Sequence, residues 1–251
     1  MTDRTGVVLQ GEIHPAINDV VESIRSWFTG ELVLSTWDRG SRPSIPGVDK
    51  ILFLGDPGPG PVQNIRRQIV GLREALSVIT ADVVFKTRSD MIHRRDMFSF
   101  FKHQKSYDRT LSVFSERVVI SSVMTMNHDS PPEYRPLSPS DWFYVGNKTD
   151  IEKYCDILDV LDRYSGGGLC CEQLWFFSAL SKCGVVSSDS FKIKSISSEM
   201  LWRLLLNNFV VVDTNRSADA VCLKYQGNYD NNDIYMNEKV FDDKAKEEYG
   251  S

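Results

Sequence analysis

No stretch of this 251-residue chain approaches the roughly 20 consecutive apolar residues that a membrane-spanning helix needs. Its apolar runs, such as residues 118–123 and 209–212, have the length of strands. The opening Met-Thr-Asp-Arg-Thr lacks the basic-then-apolar layout of a secretory signal. Cysteine is sparse: five are present, none in a C-x-x-C pair, and Cys170 and Cys171 are neighbours, which is awkward for a bridge. That pattern predicts buried thiols in a reducing compartment. Charge of one sign is lacking too. The 34 acidic and 29 basic residues give a net charge of −5 without long blocks, so the basic stripe that nucleic-acid binders set against phosphate is missing. His14, His93, His103 and His128 are spaced too irregularly for a histidine metal motif. No Gly-Lys-Ser/Thr phosphate loop, no Gly-x-Gly-x-x-Gly after the first strand and no Gly-x-Ser-x-Gly elbow occurs. These absences argue against nucleoside triphosphatases, the usual dinucleotide fold and serine hydrolases of the elbow type.

The apolar periodicity that is present describes an α/β protein. Residues 6–11 form a short apolar run closed by Gln10 and Gly11, the pattern of a buried parallel strand. Ile17, Val20, Val21, Ile24, Trp27 and Phe28 recur at three- and four-residue intervals, one face of a helix stopped by Gly30. Strands follow at 31–37 and 49–54, then a Pro/Gly-rich loop at 55–61 that can continue neither element. Residues 64–80 read as a helix with Ile65, Ile69, Leu72, Leu76 and Ile79 inward, feeding an apolar strand through Val83–Phe85. Further on, the spacing predicts a short helix at 96–104, a strand at 117–123, a long loop at 126–140, a helix capped by Thr149 or Asp150 and running to Leu161, helices at 172–183 and 200–206, and a strand at 209–212. Alternating strands and helices imply a mostly parallel central sheet with helices on both faces. No internal repeat or linker divides the chain. It reads as one domain, with a nucleotide-binding half at 1–90, an acceptor-side half at 91–226 and a peripheral tail at 227–251.

Chemistry concentrates where the strand after Phe85 ends in Lys86, Arg88 and Asp90. Open α/β sheets bind ligands at the carboxyl edge of their strands. A carboxylate between two basic residues there could hold a divalent cation, Mn²⁺ or Mg²⁺, together with an anionic substrate, because both ions take hard oxygen ligands and share them with phosphates; an ordinary surface ion-pair cluster is the alternative. Asn64, Arg66 and Arg67 open the next-door helix, where backbone N–H groups and guanidinium forks favour phosphate. Asp141 precedes the aromatic Trp142, Phe143 and Tyr144, which would anchor it at a cleft rim. Glu172 begins a strongly apolar helix after Gly166–Gly168 and two cysteines, either as a carboxylate presented to the cleft or as a partner for the positive helix end.

Taken in order, Val8-Leu-Gln-Gly11, Leu34-Ser-Thr-Trp37, Asp56-Pro-Gly58, Asn64-Ile-Arg-Arg-Gln68 with Gly71-Leu72, Phe85-Lys-Thr-Arg-Ser-Asp90, Ser140-Asp-Trp-Phe-Tyr-Val-Gly146 and Glu172-Gln-Leu-Trp175 resemble the WavE lipopolysaccharide-synthesis family, which looks like the GT-A class of glycosyltransferases. The resemblance spans about residues 7–176. It implies a GT-A-like Rossmann-type three-layer sandwich and a cytoplasmic transferase moving a sugar, by single displacement, from a nucleotide-sugar donor to a polysaccharide or lipopolysaccharide precursor. It is compatible with peripheral association with a membrane or a biosynthetic complex, and the charge pattern above argues against a nucleic-acid partner. By the same resemblance, Gln10, Gly11, Thr36, Arg66, Arg67, Lys86, Arg88 and Asp90 would contact the donor. Asp90 would hold the metal and Glu172 would be the base that activates the acceptor, with Asp141 as the next carboxylate. The chain departs from the Asp-x-Asp pattern of that class, because Arg88 stands two residues before Asp90. Two other readings of the same architecture are a nucleotide- or carbohydrate-binding protein without turnover and a sugar-phosphate nucleotidyltransferase. For the latter, Gln10-Gly-Glu-Ile-His14 is a poor phosphate loop.

Overall fold

The computed structural model describes residues 3–123, 125, 137–164, 168–187, 196–213, 219–224 and 237–250. In chain order the elements are β1 (Thr5–Gln10), α1 (Ile17–Arg25), β2 (Glu31–Trp37), β3 (Lys50–Leu54), α2 (Ile65–Val78), β4 (Val83–Arg88), β5 (Met91–His93), β6 (Val118–Ser121), β7 (Phe143–Asn147), α3 (Lys148–Cys155), α4 (Leu158–Leu161), α5 (Cys171–Lys182), α6 (Ser198–Asn208), β8 (Phe209–Val212), β9 (Ala220–Cys222) and α7 (Glu238–Tyr249). The main sheet runs β3-β2-β1-β4-β7-β6-β8, and β5 pairs with β9 in a small second sheet. β3, β2, β1 and β4 are mutually parallel, β7 is antiparallel to both β4 and β6, and β8 is parallel to β6. This is the expected α/β sandwich, with a largely parallel sheet between two helical layers.

Side chains alternate across the sheet with period two, so each strand feeds two cores. Val8, Val33, Val84, Tyr144, Ile120 and Val211 pack under α2, α3, α5 and α6. Val7, Leu9, Leu32, Leu34, Phe85, Phe143 and Val145 pack on the other face, against Ile17, Val20, Val21 and Ile24 of α1. The same alternation puts Lys86 and Arg88 on the α2 side of β4 and Thr87 on the α1 side. At Gly71 of α2 a Cβ would stand 2.9 Å from Gln10 Nε2 and 3.3 Å from Ser35 Oγ. Glycine there lets α2 lie directly on β1 and β2.

Three boundaries differ from the sequence expectation. α1 ends at Arg25, with Trp27 in the turn that follows and Phe28 just beyond it. The 96–104 region holds only a single 3-10 turn, Met97–Phe100, started by Asp96 accepting from the Phe98 N–H. The helix expected to run to Leu161 is broken into α3 and α4 around Asp156, and its N-cap position is Asn147. Asp150 is instead fully buried, accepting from Ser115 N at 2.7 Å, Ser115 Oγ at 2.5 Å and Glu116 N at 3.1 Å, which ties the approach of β6 to α3. The tail is better anchored than its polar composition suggests. Phe241 and Ala245 of α7 are buried, and Tyr249 stacks on Tyr107 at 4.4 Å. The expected long loop lies mostly at 126–136, outside the described residues, as do Gly166 and Gly167.

His93 on β5 is wholly buried between Phe85 and Phe143, with Nε2 2.7 Å from Thr87 Oγ1 and no hydrogen-bond partner for Nδ1 among the described residues. Burial pushes its pKa down to about 3. The unfolded chain therefore binds a proton below about pH 6.5 that the folded chain refuses, so this group's contribution is present above that pH and lost as pH falls. Denaturant unfolding should show that wild type loses about 2 kcal/mol more than His93→Phe between pH 7.5 and 5.0. Equal losses would place the histidine in contact with water.

Candidate functional site

Because β2, β1 and β4 are parallel, their carboxyl ends open on one edge, and a cleft of about 430 Å³ lies there. Its lining includes Gln10 ending β1, Gly11 and His14 after it, Trp37 ending β2, Arg67 and Gln68 of α2, Lys86, Arg88 and Asp90 of β4 and its end, and Asp141 before β7. Strand order sets their order along the edge, from Trp37 through Gln10 to Lys86 and Arg88 and then to Asp141. Three strand spacings of about 4.8 Å make this row roughly 14 Å long. At Gly11 the chain turns with φ +133°, and a Cβ would stand 2.7 Å from Ser89 Oγ, which itself donates to the Glu12 carbonyl at 2.6 Å. The glycine permits the loop after β1 to close against the end of β4.

Lys86 is the least expected feature: an ammonium with 1% exposure at the end of a central strand. Its Nζ donates to the Asp141 carbonyl at 2.6 Å and lies 4.9 Å from the ring centre of Tyr144, its partner across the β4–β7 ladder. Burial is the main cause that brings its pKa down to about 8, with Asp141 opposing and Arg88 assisting. Arg88 grips Asp90 through two bonds, Nε to Oδ1 at 2.8 Å and Nη2 to Oδ2 at 2.7 Å. Burial disfavours both charges, yet the fork outweighs it, raising the pKa of Arg88 and lowering that of Asp90. Asp141, 5% exposed, accepts from Gln68 Nε2 on Oδ2 at 2.7 Å, while Oδ1 has no hydrogen-bond partner among the described residues. Gln68 in turn takes the Cys171 thiol on its Oε1 at 3.3 Å, and its carbonyl accepts from Gln10. The rim is a chain of charges: Glu12 with Arg39 at 2.8 Å, Arg39 with Asp56 at 3.4 Å, and Asp56 with Arg67 at 2.7 Å. The Arg67 guanidinium holds the Asp56 carboxyl down to about 2.

Of the residues singled out in the sequence, the cleft gathers Gln10, Gly11, Arg67, Lys86, Arg88, Asp90 and Asp141. Thr36 is buried on the opposite face of β2 from Ser35, by the period-two alternation, and does not line it. Arg66 lies a helical step away from Arg67 and pairs with Asp162 instead. Glu172 is half-buried in the first turn of α5, beside Cys171, and also falls outside the lining. Sequence reasoning missed Gln68 as the partner of Asp141. Its signal was the polar stripe Asn64, Arg67, Gln68 and Gly71, spaced i, i+3, i+4, i+7 along the α2 face beside the apolar one.

A family model described as WavE lipopolysaccharide synthesis matches residues 6–162, well over half of the chain. The chain belongs to the WavE family. The matched range contains every strand end that lines the cleft and includes Asp141, whereas Glu172 lies beyond it. No curated protein is similar enough to count as a relative. Among solved structures, the apo-form glycosyltransferase GlyE of Streptococcus pneumoniae TIGR4 is 10% identical at a TM-score of 0.46, covering 97% of this chain and 60% of that one. HddC from Yersinia pseudotuberculosis is 15% identical at 0.38, covering 65% and 87%. An active-site mutant of LgtC is 10% identical at 0.43, covering 83% and 73%. This WavE-family chain thus spans 60% of the length of GlyE, and all three are distant likenesses.

The described residues around Asp90 fit a divalent cation poorly. Both oxygens of Asp90 are occupied by Arg88, and the positions two and four residues earlier carry cations rather than a second carboxylate. The donor set instead suits an anion.

Since Lys86 has a folded pKa of about 8 against 10.5 for the free side chain, its burial penalty is complete below pH 8 and fades as pH rises toward 10.5. Lys86→Met removes that titration. Unfolding free energies measured from pH 7 to 9.5 should show wild type gaining about 2 kcal/mol relative to the variant. Parallel curves would mean that the ammonium is solvated.

Proposed function

We propose that this WavE-family chain is a glycosyltransferase that moves a sugar from a nucleotide-sugar donor to a surface-glycan precursor in the cytoplasm. The observation that carries the reading is the row of groups along the carboxyl edge: an aromatic wall at Trp37, a buried cation at Lys86 and a half-buried one at Arg88, and a carboxylate at Asp141, all in one cleft. A nucleoside diphosphate sugar has the same order of chemistry, with its base toward Trp37 and His14, its diphosphate on the cations and its anomeric carbon near Asp141. No helix among the described residues is long and apolar enough to cross a membrane, and contact with a lipid-linked acceptor would be peripheral.

In this reading Asp141 is the base. Its unpartnered Oδ1 takes the proton of the acceptor hydroxyl as that oxygen bonds to the anomeric carbon. The bond from that carbon to the diphosphate oxygen breaks, and its electron pair leaves with the nucleoside diphosphate. Charge grows on the leaving oxygen, so Lys86 and Arg88 stabilise the transition state more than the bound donor. Gln68 fixes the carboxylate, and Lys86 holds the backbone of the same residue, so base and cation are set by one another. Glu172 supports the first turn of α5 through the helix dipole rather than meeting the acceptor.

Product release from a panel of UDP- and GDP-sugars, with glycolipid precursor as acceptor, tests the assignment. Asp141→Asn should leave nucleoside diphosphate affinity within about threefold while lowering kcat by roughly 10²- to 10⁴-fold. Glu172→Gln should retain near-normal turnover. The reverse pattern would move the base to Glu172, and failure of every nucleotide sugar to bind would remove the transferase reading.

A further inference from the structure

We propose that the Lys86–Arg88 pair replaces a divalent cation at this site, so that the chain binds the donor diphosphate without metal. The inference rests on the reading of the cleft as a nucleotide-sugar site.

Strand periodicity sets the pair. Residues 86 and 88 are two apart on β4, so both side chains leave the same face at the carboxyl end, beside Gln10 of β1, the partner of Arg88 in the parallel ladder. Neither cation has its donors filled. An ammonium has three N–H groups, and Lys86 spends one on the Asp141 carbonyl. A guanidinium has five; Arg88 uses Nε and Nη2 on Asp90, while Nη1 has no hydrogen-bond partner among the described residues. Lys86 is buried, and a buried charged donor short of acceptors is unfavourable; Arg88 is only partly covered, its side chain 23% exposed. Lys86 and Arg88 both line the cleft, where phosphate oxygens would satisfy them.

The placement of charge points the same way. The two positive charges of the pair are balanced by Asp90 and Asp141, so net charge does not choose between a cation and an anion; the positions of the groups do. A divalent cation on Asp90 would have to displace the Arg88 fork and then stand beside the buried Lys86 ammonium and the half-buried Arg88 guanidinium. A diphosphate meets the opposite situation, with two cations already held in place by Asp90, Tyr144 and the Asp141 carbonyl. Such pre-positioned donors need no reorganisation when the leaving group gains its charge. Arg88 thus takes the position of the absent second carboxylate, and Asp90 serves to aim the guanidinium.

Calorimetric titration of the whole chain with inorganic pyrophosphate, UDP, GDP and ADP, each in EDTA and again with Mn²⁺, tests this. Binding in EDTA should fall within about threefold of binding with Mn²⁺. Lys86→Met, which removes a buried liability and should fold, should weaken pyrophosphate and nucleoside diphosphates in EDTA by about 30-fold or more, as expected for loss of a desolvated charge partner. Arg88→Lys, which keeps the charge but loses the fork, should weaken them as well. Binding that appears only with Mn²⁺, or a Lys86→Met variant that binds like wild type in EDTA, overturns the cation replacement and leaves the donor-site reading standing. Pyrophosphate binding in EDTA with no gain from any nucleoside supports the clamp while removing the nucleotide donor. Silence from every probe in both conditions overturns the clamp and the donor site together.

Discussion

One buried ammonium organises the functional edge of this protein. Lys86 reaches the end of β4 with apolar layers on both sides of the strand, and its charge is accommodated by the Asp141 carbonyl and the face of Tyr144. Those two contacts lie on β7 and the residues entering it, so the cation locks the antiparallel strand to the parallel half of the sheet at the place where the cleft forms. A methionine would pack there at lower cost, because a buried charge is tolerated only when something satisfies it. The bonds seen in the chain satisfy it in part. In the proposed function an anion in the cleft completes them, and the same residue then links architecture to chemistry.

Around that point the fold turns parallel strands into a graded site. β2, β1 and β4 end together and β7 enters beside them, so an aromatic, an amide, two cations and a carboxylate are set in a row by strand order alone. The loops that follow the strands are joined through Glu12, Arg39, Asp56 and Arg67. Each exposed pair is worth little by itself, but a chain of four charges holds three loops and the start of α2 in register. Gly11 and Gly71 let backbone come close enough for Ser89 and Gln10 to complete the packing beneath.

Much of the scaffold was legible because buried strands and amphipathic helices leave local signatures. The alternation of Val7, Val8 and Leu9, or of Val83, Val84 and Phe85, announces a two-sided strand, and the charges after Phe85 mark where it leaves the core. Arg67 and Asp90 could be placed at the carboxyl edge, where the cleft lies, on the same grounds. What failed were contacts that join distant segments. Lys86 meets Asp141 across 55 residues, and Gln68 meets Asp141 across 73, so no spacing rule separates Asp141 from Glu172 as the cleft carboxylate. Arg66 and Arg67 look equivalent in the sequence; a rotation of about 100° between successive helical residues sends one to Asp162 and the other to the cleft rim. Asp150 looked like a cap because acidic residues at helix starts usually serve that purpose, yet its oxygens are used by the backbone of Ser115 and Glu116.

The proposed function places a diphosphate on Lys86 and Arg88 with its leaving bond near Asp141. A crystal structure with bound UDP or GDP, grown without divalent metal, measures that arrangement directly. The account predicts phosphate oxygens about 3 Å from Lys86 Nζ and from the free edge of Arg88, with the base toward Trp37 and the Arg88–Asp90 fork intact. A diphosphate lying outside this cleft, or one that lies in it without touching Lys86, would contradict it.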